Sequence, residues 1–224
     1  MKRRTSVILT VIFTVCLAVW PNVALGATFS DLMPSDWGYQ EVLSLTDQKI
    51  ISGYPDGTFR PDAQITRAEF CKLIVKTVPR GLDPKYPAKP TFPDVDRNHW
   101  AYGYVEAVAA QGWVNGFPDG NFRSEQSITK AEVLKIMVVA AERPLQTAIP
   151  SPYLDSQPTE WWAPYLSTAL GFDWIGAPDP GLVVELRKST GVSSSKLIGY
   201  QLEPQKPATR IQTAVLLYRL RMSP

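Results

Sequence analysis

One tetrapeptide, Thr66-Arg67-Ala68-Glu69, returns as Thr129-Lys130-Ala131-Glu132 and again, altered, as Thr209-Arg210-Ile211-Gln212. Apolar residues at helical spacing follow it: Phe70, Leu73, Ile74 and Thr77 after the first copy, Val133, Ile136, Met137 and Ala140 after the second. Threonine with Glu or Gln three residues on, ahead of such a run, is a capping box, in which the hydroxyl accepts from one orphan N–H and the longer side chain from another. The pattern predicts three helices that begin alike, each with an apolar face to bury.

The second position of the box is always a cation: Arg67, Lys130, Arg210. A cation in the first turn sits at the positive end of the helix dipole and is mildly disfavoured there. Two arrangements account for keeping it. Either it faces an anion, helped by free N–H groups of the same helix end, or it pairs with a carboxylate of its own chain.

Shifting the sequence on itself by 63 residues aligns more than the caps. Phe29, Asp31, Trp37, Gly53, Pro55, Asp56, Gly57, Phe59, Arg60 and Ile65 fall on Phe92, Asp94, Trp100, Gly116, Pro118, Asp119, Gly120, Phe122, Arg123 and Ile128. Residues 29–78 and 92–141 share 18 identities in 50 ungapped positions, where chance gives about three, so the segment is duplicated. A third unit keeps Asp155 and Trp161 at the same six-residue spacing, but about 19 residues enter before Thr209 and the Pro-Asp-Gly turn is missing. That insertion reads as a small hairpin or a loose loop. Each unit reads as helix, turn, capped helix, the turn being Pro-Asp-Gly in the first two, with first helices running from about Tyr39 to Gln48 and from about Ala101 to Ala110. The proline-rich stretch from Pro79 to Pro93 reads as a stiff linker. The expected organisation is an all-α chain of three units, at 27–80, 91–143 and 152–224, packed together with the capped helices at the centre.

Residues 1–26 read as a secretory signal: Lys2, Arg3 and Arg4, an apolar run from Val7 to Val19, then Ala24-Leu25-Gly26 as a cleavage site. Without its three basic residues the chain holds 20 basic against 21 acidic side chains. It therefore has no basic excess for nucleic acid, and no further apolar stretch is long enough to span a membrane. Cys71 is then the one remaining cysteine, aligned with Leu134, and reads as a small buried hydrophobe.

The composite of Phe-x-Asp with a Trp six residues later, Gly-Tyr/Phe-Pro-Asp-Gly-x-Phe, and Ile-Thr-Arg/Lys-Ala-Glu resembles the S-layer homology family, as three tandem repeats. The resemblance implies a pseudo-threefold module around a central three-helix bundle. It also implies non-covalent attachment to the cell wall or envelope through a wall-linked, anionic polysaccharide, often pyruvylated, or another peptidoglycan-linked glycan. By the same resemblance the glycan's carboxylate is held by Arg67, Lys130 and Arg210, in grooves lined by Asp31, Asp94 and Asp155, by Trp37, Trp100 and Trp161, and by Gly53 and Gly116. The third groove lacks its turn.

Chemistry of the residues is consistent with binding. A carboxylate is a compact anion that arginine holds by charge-assisted hydrogen bonds, and sugar rings stack on aromatic faces. The tryptophans also read as core anchors, and the aspartates as turn or cap residues. Catalysis finds little support. His99 is the only histidine, which leaves no Ser-His or Cys-His constellation and no metal-binding cluster, and no cofactor is expected. The repeated aspartates are arithmetically able to form an acid–base pair, yet repetition suits weak sites that add avidity along a polymer. An alternative is an envelope adaptor whose divergent third unit binds a protein partner.

Overall fold

The computed structural model describes residues 28–78, 82–147, 150–176, 179–189 and 195–223. The leader read at 1–26 lies outside them. Among the described residues, six helices and one hairpin follow in the order α1 (Tyr39–Asp47), α2 (Arg67–Thr77), α3 (Tyr102–Ala110), α4 (Lys130–Ala140), α5 (Ala163–Gly171), β1 (Val184–Ser189), β2 (Ser195–Gln201) and α6 (Arg210–Met222). The fold is mostly helical, and the insertion is the hairpin. Its antiparallel strands pair Val184 with Gln201 through Ser189 with Ser195, with a register shift after Leu186.

All three capping boxes form. Thr66 accepts from the Glu69 N–H at 3.2 Å while Glu69 accepts from the Thr66 N–H at 2.8 Å. Thr129 with Glu132 and Thr209 with Gln212 repeat the exchange. The next two orphan donors of each helix are also used. Arg67 and Ala68 donate to the carbonyls of Gln126 and Ser124, Lys130 and Ala131 to Lys206 and Pro204, Arg210 and Ile211 to Ala63 and Pro61. Each helix start is thus stitched to the next unit in a cycle. The residues just before the caps close it: Ile128 N–H donates to Ile65, Ile65 to Ala208, and Ala208 back to Ile128, at 3.0, 3.1 and 2.8 Å. These bonds overturn one expectation, since the N–H groups that were to help hold an external anion are spent inside the chain.

The helices of one unit do not pack on each other. The first helix of each unit lies on the capped helix of the unit before it: α3 on α2, α5 on α4 and, closing the cycle, α1 on α6. The capped helices α2, α4 and α6 each touch the other two. Val42 and Leu45 of α1, Val105 and Val108 of α3, and Leu166 and Ala169 of α5 are all buried in one core with Phe70, Ile74, Val133, Met137 and Leu217. Burial of about 1.5–3 kcal/mol per such side chain is therefore shared between neighbouring units.

The proline-rich stretch does more than link. Lys85 N–H donates to Gly103 O and the Tyr102 hydroxyl to Pro87 O at 2.7 Å. Tyr86 crosses α3 at Gly103, where a β-carbon would stand 2.6 Å from its ring. Buried Glu106 then accepts from both the N–H and the hydroxyl of Thr91 at 2.7 Å. The strap is fixed to α3 because this helix has a glycine where the strap passes.

Candidate functional site

The recurring aspartates hold backbone. Asp31 accepts from the N–H groups of Phe59 and Arg60 at 2.7 and 2.8 Å, Asp94 from Phe122 and Arg123 at 2.7 Å each, and Asp155 from Leu202 and Glu203 at 3.0 and 2.7 Å. They pin the residues that enter the left-handed region, Arg60, Arg123 and Glu203. Burial, the largest single influence, would raise the Asp31 carboxyl, but the backbone donors of Phe59, Arg60 and Asp31 itself together outweigh it and its pKa is lowered. In the two Pro-Asp-Gly turns a second aspartate pairs with the arginine, Asp56 with Arg60 at 2.8 Å and Asp119 with Arg123 at 2.9 Å.

The capping cations are buried, and each reaches into the unit that follows. Arg67 donates to Phe122 O at 2.9 Å, to Asn115 O at 3.2 Å and to the Glu132 carboxylate at 2.7 Å. Arg210 donates to Phe59 O and Ser52 O, both at 2.9 Å. Lys130 donates to Leu202 O and Leu182 O at 2.6 and 3.3 Å, and burial lowers its pKa. Of the two arrangements open to the sequence, the pairing with a carboxylate of the same chain is realised at Arg67. Arg67 has an internal carboxylate, while Arg210 is held by carbonyls.

Two grooves open beside these cations with matching walls. The first, about 260 Å³, is lined by Arg67, by Gly116, Phe117, Glu132 and Lys135 of the second unit, and by Trp161 of the third. The second, about 500 Å³, is lined by Arg210, by Gly53, Tyr54, Glu69 and Lys72 of the first unit, and by Trp100 of the second. Each combines a cation from one unit, a glycine, aromatic ring, carboxylate and lysine from the next, and a tryptophan from the unit after. Trp100 and Trp161 are 53% and 49% exposed. The Lys72 ammonium lies 5.9 Å from the Trp100 ring centre. Tyr54 takes the guanidinium groups of Arg60 and Arg210 at 4.0 and 4.9 Å, and Phe117 those of Arg123 and Arg67 at the same distances. Gly53 and Gly116 have no room for a side chain because Phe29 and Phe92 pack against them: a β-carbon would stand 2.4 Å from Phe29 and 2.9 Å from Phe92.

The third position is built differently, and the cleft of about 510 Å³ beside it is lined by Trp37, Gly181 and Gln212 but not by Lys130. Leu182 supplies the carbonyl that Asn115 and Ser52 supply elsewhere, so Val183 follows where a glycine follows in the other two. Gln212 replaces the glutamate and donates to Gly181 O at 2.8 Å. Buried Val215 stands in the register of Lys72 and Lys135. Trp37, partly buried, packs against Gly181.

Of the predicted residues, the structure therefore places Gly53, Arg210 and Trp100 in one groove, Gly116, Arg67 and Trp161 in another, Lys130 and Trp37 at the altered third position, Asp31 and Asp94 under the turns, and Asp155 under the backbone that follows the hairpin. Sequence reasoning passed over Lys72 and Lys135, Tyr54 and Phe117, and Glu69 and Glu132 as wall residues. The lysines had a signal: they are identical across the duplication and lie one turn beyond the box glutamate, on the same helix face.

Residues 28–71 and 91–134 match the S-layer homology domain. The chain is similar to a cellulosome-anchoring protein of Acetivibrio thermocellus, 37% identical over 143 residues, 61% of this chain and 30% of that protein. It is similar to S-layer protein EA1 of Bacillus anthracis, 33% identical over 122 residues, 54% of this chain and 14% of the other. An endoglucanase of Bacillus sp. is 32% identical over 114 residues, 51% of this chain and 12% of the enzyme. The chain thus spans less than a third of each of these relatives.

Proposed function

We propose that the chain, whose residues 28–71 and 91–134 match the S-layer homology domain, attaches non-covalently to the bacterial cell envelope by binding an anionic, wall-linked polysaccharide in its two open grooves. The observation that carries this reading is the repetition of one composite wall, Arg–Gly–Lys–Trp drawn from three successive units, beside two capping cations. Lys72 and Lys135 meet the glycan's carboxylates, such as pyruvyl ketals, from the open side, with Arg210 and Arg67 behind them. Trp100 and Trp161 offer ring faces to sugars, and Gly53 and Gly116 let a ring approach the floor. Asp31, Asp94 and Asp155 shape the turns that carry these walls. We read the interlocked helices as a three-lobed, pseudo-threefold module in which two positions bind glycan.

The names of the relatives, cellulosome-anchoring and S-layer proteins, support an envelope location. The similarity to an endoglucanase covers 12% of that enzyme, and we assign no catalytic role to this chain. Among the described residues no cluster of His, Cys, Asp or Glu is arranged to hold a metal ion, and no helix is long and apolar enough to cross a membrane.

Co-sedimentation with purified cell-wall sacculi, before and after the attached polysaccharide is chemically stripped, tests the reading. Binding lost on stripping is the expected result; binding that survives redirects the target to bare peptidoglycan. The hairpin that replaces the turn at the third position favours one further role, an adaptor that engages an envelope protein through it. Removing 177–198 would then abolish recruitment of the partner while leaving sacculus binding intact.

A further inference from the structure

The two grooves have the same plan and different charge. In the Gly116 groove Arg67 is already paired with Glu132 at 2.7 Å, which leaves Lys135 as the available cation. In the Gly53 groove the corresponding Glu69 accepts from the Thr66 N–H and makes no ion pair with Arg210. Arg210 is 7% exposed, and among the described residues its Nη1 has no hydrogen-bond partner although the side chain lines the groove. Beside it stand Lys49, Lys72 and Lys76.

Two of these lysines are absent from the other copy. Lys76 aligns with Val139, and Lys49 aligns with Gly112. Lys49 has φ 58° and Gly112 has φ 71°, both left-handed. A side chain there costs about 1 kcal/mol relative to glycine, so the first unit carries a lysine at a position where the backbone favours none. The Lys76 ammonium donates to Lys49 O at 3.0 Å, and burial together with the nearby Lys72 charge lowers its pKa. The groove thus gathers four cations against one carboxylate, where its counterpart has two against one.

We propose that the two grooves are specialised, and that the Gly53 groove takes a saccharide segment bearing two or more negative charges, whereas the Gly116 groove takes a segment with one. Arg210 Nη1 binds one anionic group from the buried end, and Lys49, Lys72 and Lys76 bind the next along the chain. This rests on the reading of the grooves as glycan sites.

The test uses the whole protein and a defined probe, trigalacturonic acid, with galacturonic acid as its single-charge counterpart, titrated calorimetrically at low and high salt. Lys49→Gly with Lys76→Val copies the residues of the second unit. This double variant is expected to bind the trimer about five- to thirtyfold more weakly at low salt, with a shallower salt dependence and a melting temperature equal to or above that of the wild type. Its affinity for the monomer is expected to stay within about twofold. Lys135→Gln, in the other groove, is expected to weaken trimer binding at most a few-fold. Equal losses in K49G/K76V and K135Q, or none in the former, would overturn the specialisation. Sacculus sedimentation of the wild type in parallel separates the two ideas: trimer binding with this variant pattern but no sacculus binding removes the wall reading and leaves the charge asymmetry standing.

Discussion

Trp37 packs so closely on Gly181 that a β-carbon on the glycine would come within 2.1 Å of the indole. The other two tryptophans of the repeat, Trp100 and Trp161, stand about half exposed over open grooves. One residue type at one repeat position therefore has two uses, decided by what the preceding unit of the cycle places opposite it. Where Gly181, in the turn ahead of β1, arrives, the ring becomes packing; where a Pro-Asp-Gly turn arrives, it stays available.

Trp100→Ala and Trp161→Ala are each expected to weaken sacculus binding by about tenfold or more, as truncating a central aromatic contact does, with little change in stability. Trp37→Ala is expected to lower the melting temperature and leave binding within about twofold. Sedimentation and thermal unfolding of the three variants check this together.

Arg67→Ala strands the carbonyls of Phe122 and Asn115 and the Glu132 carboxylate. The expected loss is about 2–4 kcal/mol, reduced from that of a fully buried pair because Glu132 keeps some access to water. Arg210→Ala leaves no carboxylate unpaired and is expected to cost about 1–3 kcal/mol. Urea unfolding of both measures the difference. Lys72→Gln and Lys135→Gln are accordingly the cleaner probes of binding.

The capped helix starts, the duplication, the turns and the site of the insertion were legible in the sequence because each is local chemistry repeated at a fixed offset. The partner of each helix was not. Tyr39–Asp47 is followed in sequence by Arg67–Thr77, yet α1 packs on α6, and periodicity marks an apolar face without saying what covers it. The groove cations were legible as cations at N1. Their burial was not, because the carbonyls they satisfy, such as Phe122 for Arg67, lie 55 residues away. Lys72 and Lys135 were visible as identities but looked like ordinary solvated positions on a helix until the tryptophan of the following unit was placed beside them.

Acid should loosen the turns at a defined point. Hydrogen bonds from Thr58 and Arg60 bring the Asp56 pKa from 3.8 down to about 2, and Asp31 and Asp119 are also lowered. A carboxyl depressed on folding stabilises the fold above its unfolded pKa, and that contribution is lost as pH falls through the folded value. The stabilisation is therefore expected to be complete above about pH 4 and to fade toward pH 2. Thermal unfolding between pH 2 and 5 checks the slope, and Asp56→Asn should flatten part of it.

Cys71 is fully buried in α2, and burial pushes its pKa up to about 12. It is expected to resist an aromatic disulfide reagent at pH 8 in the folded protein and to react within minutes in denaturant. Rapid reaction in native buffer would mean that α2 opens from α4 and α6 more readily than its packing implies.

The most direct test of two open grooves is the binding stoichiometry of a short oligosaccharide released from the cell wall, measured by titration against the wild type and against K72Q/K135Q. The expected result is two sites per chain in the wild type, with affinity at both sharply reduced in the double variant at unchanged melting temperature. Three sites per chain, or binding indifferent to both lysines, would contradict it.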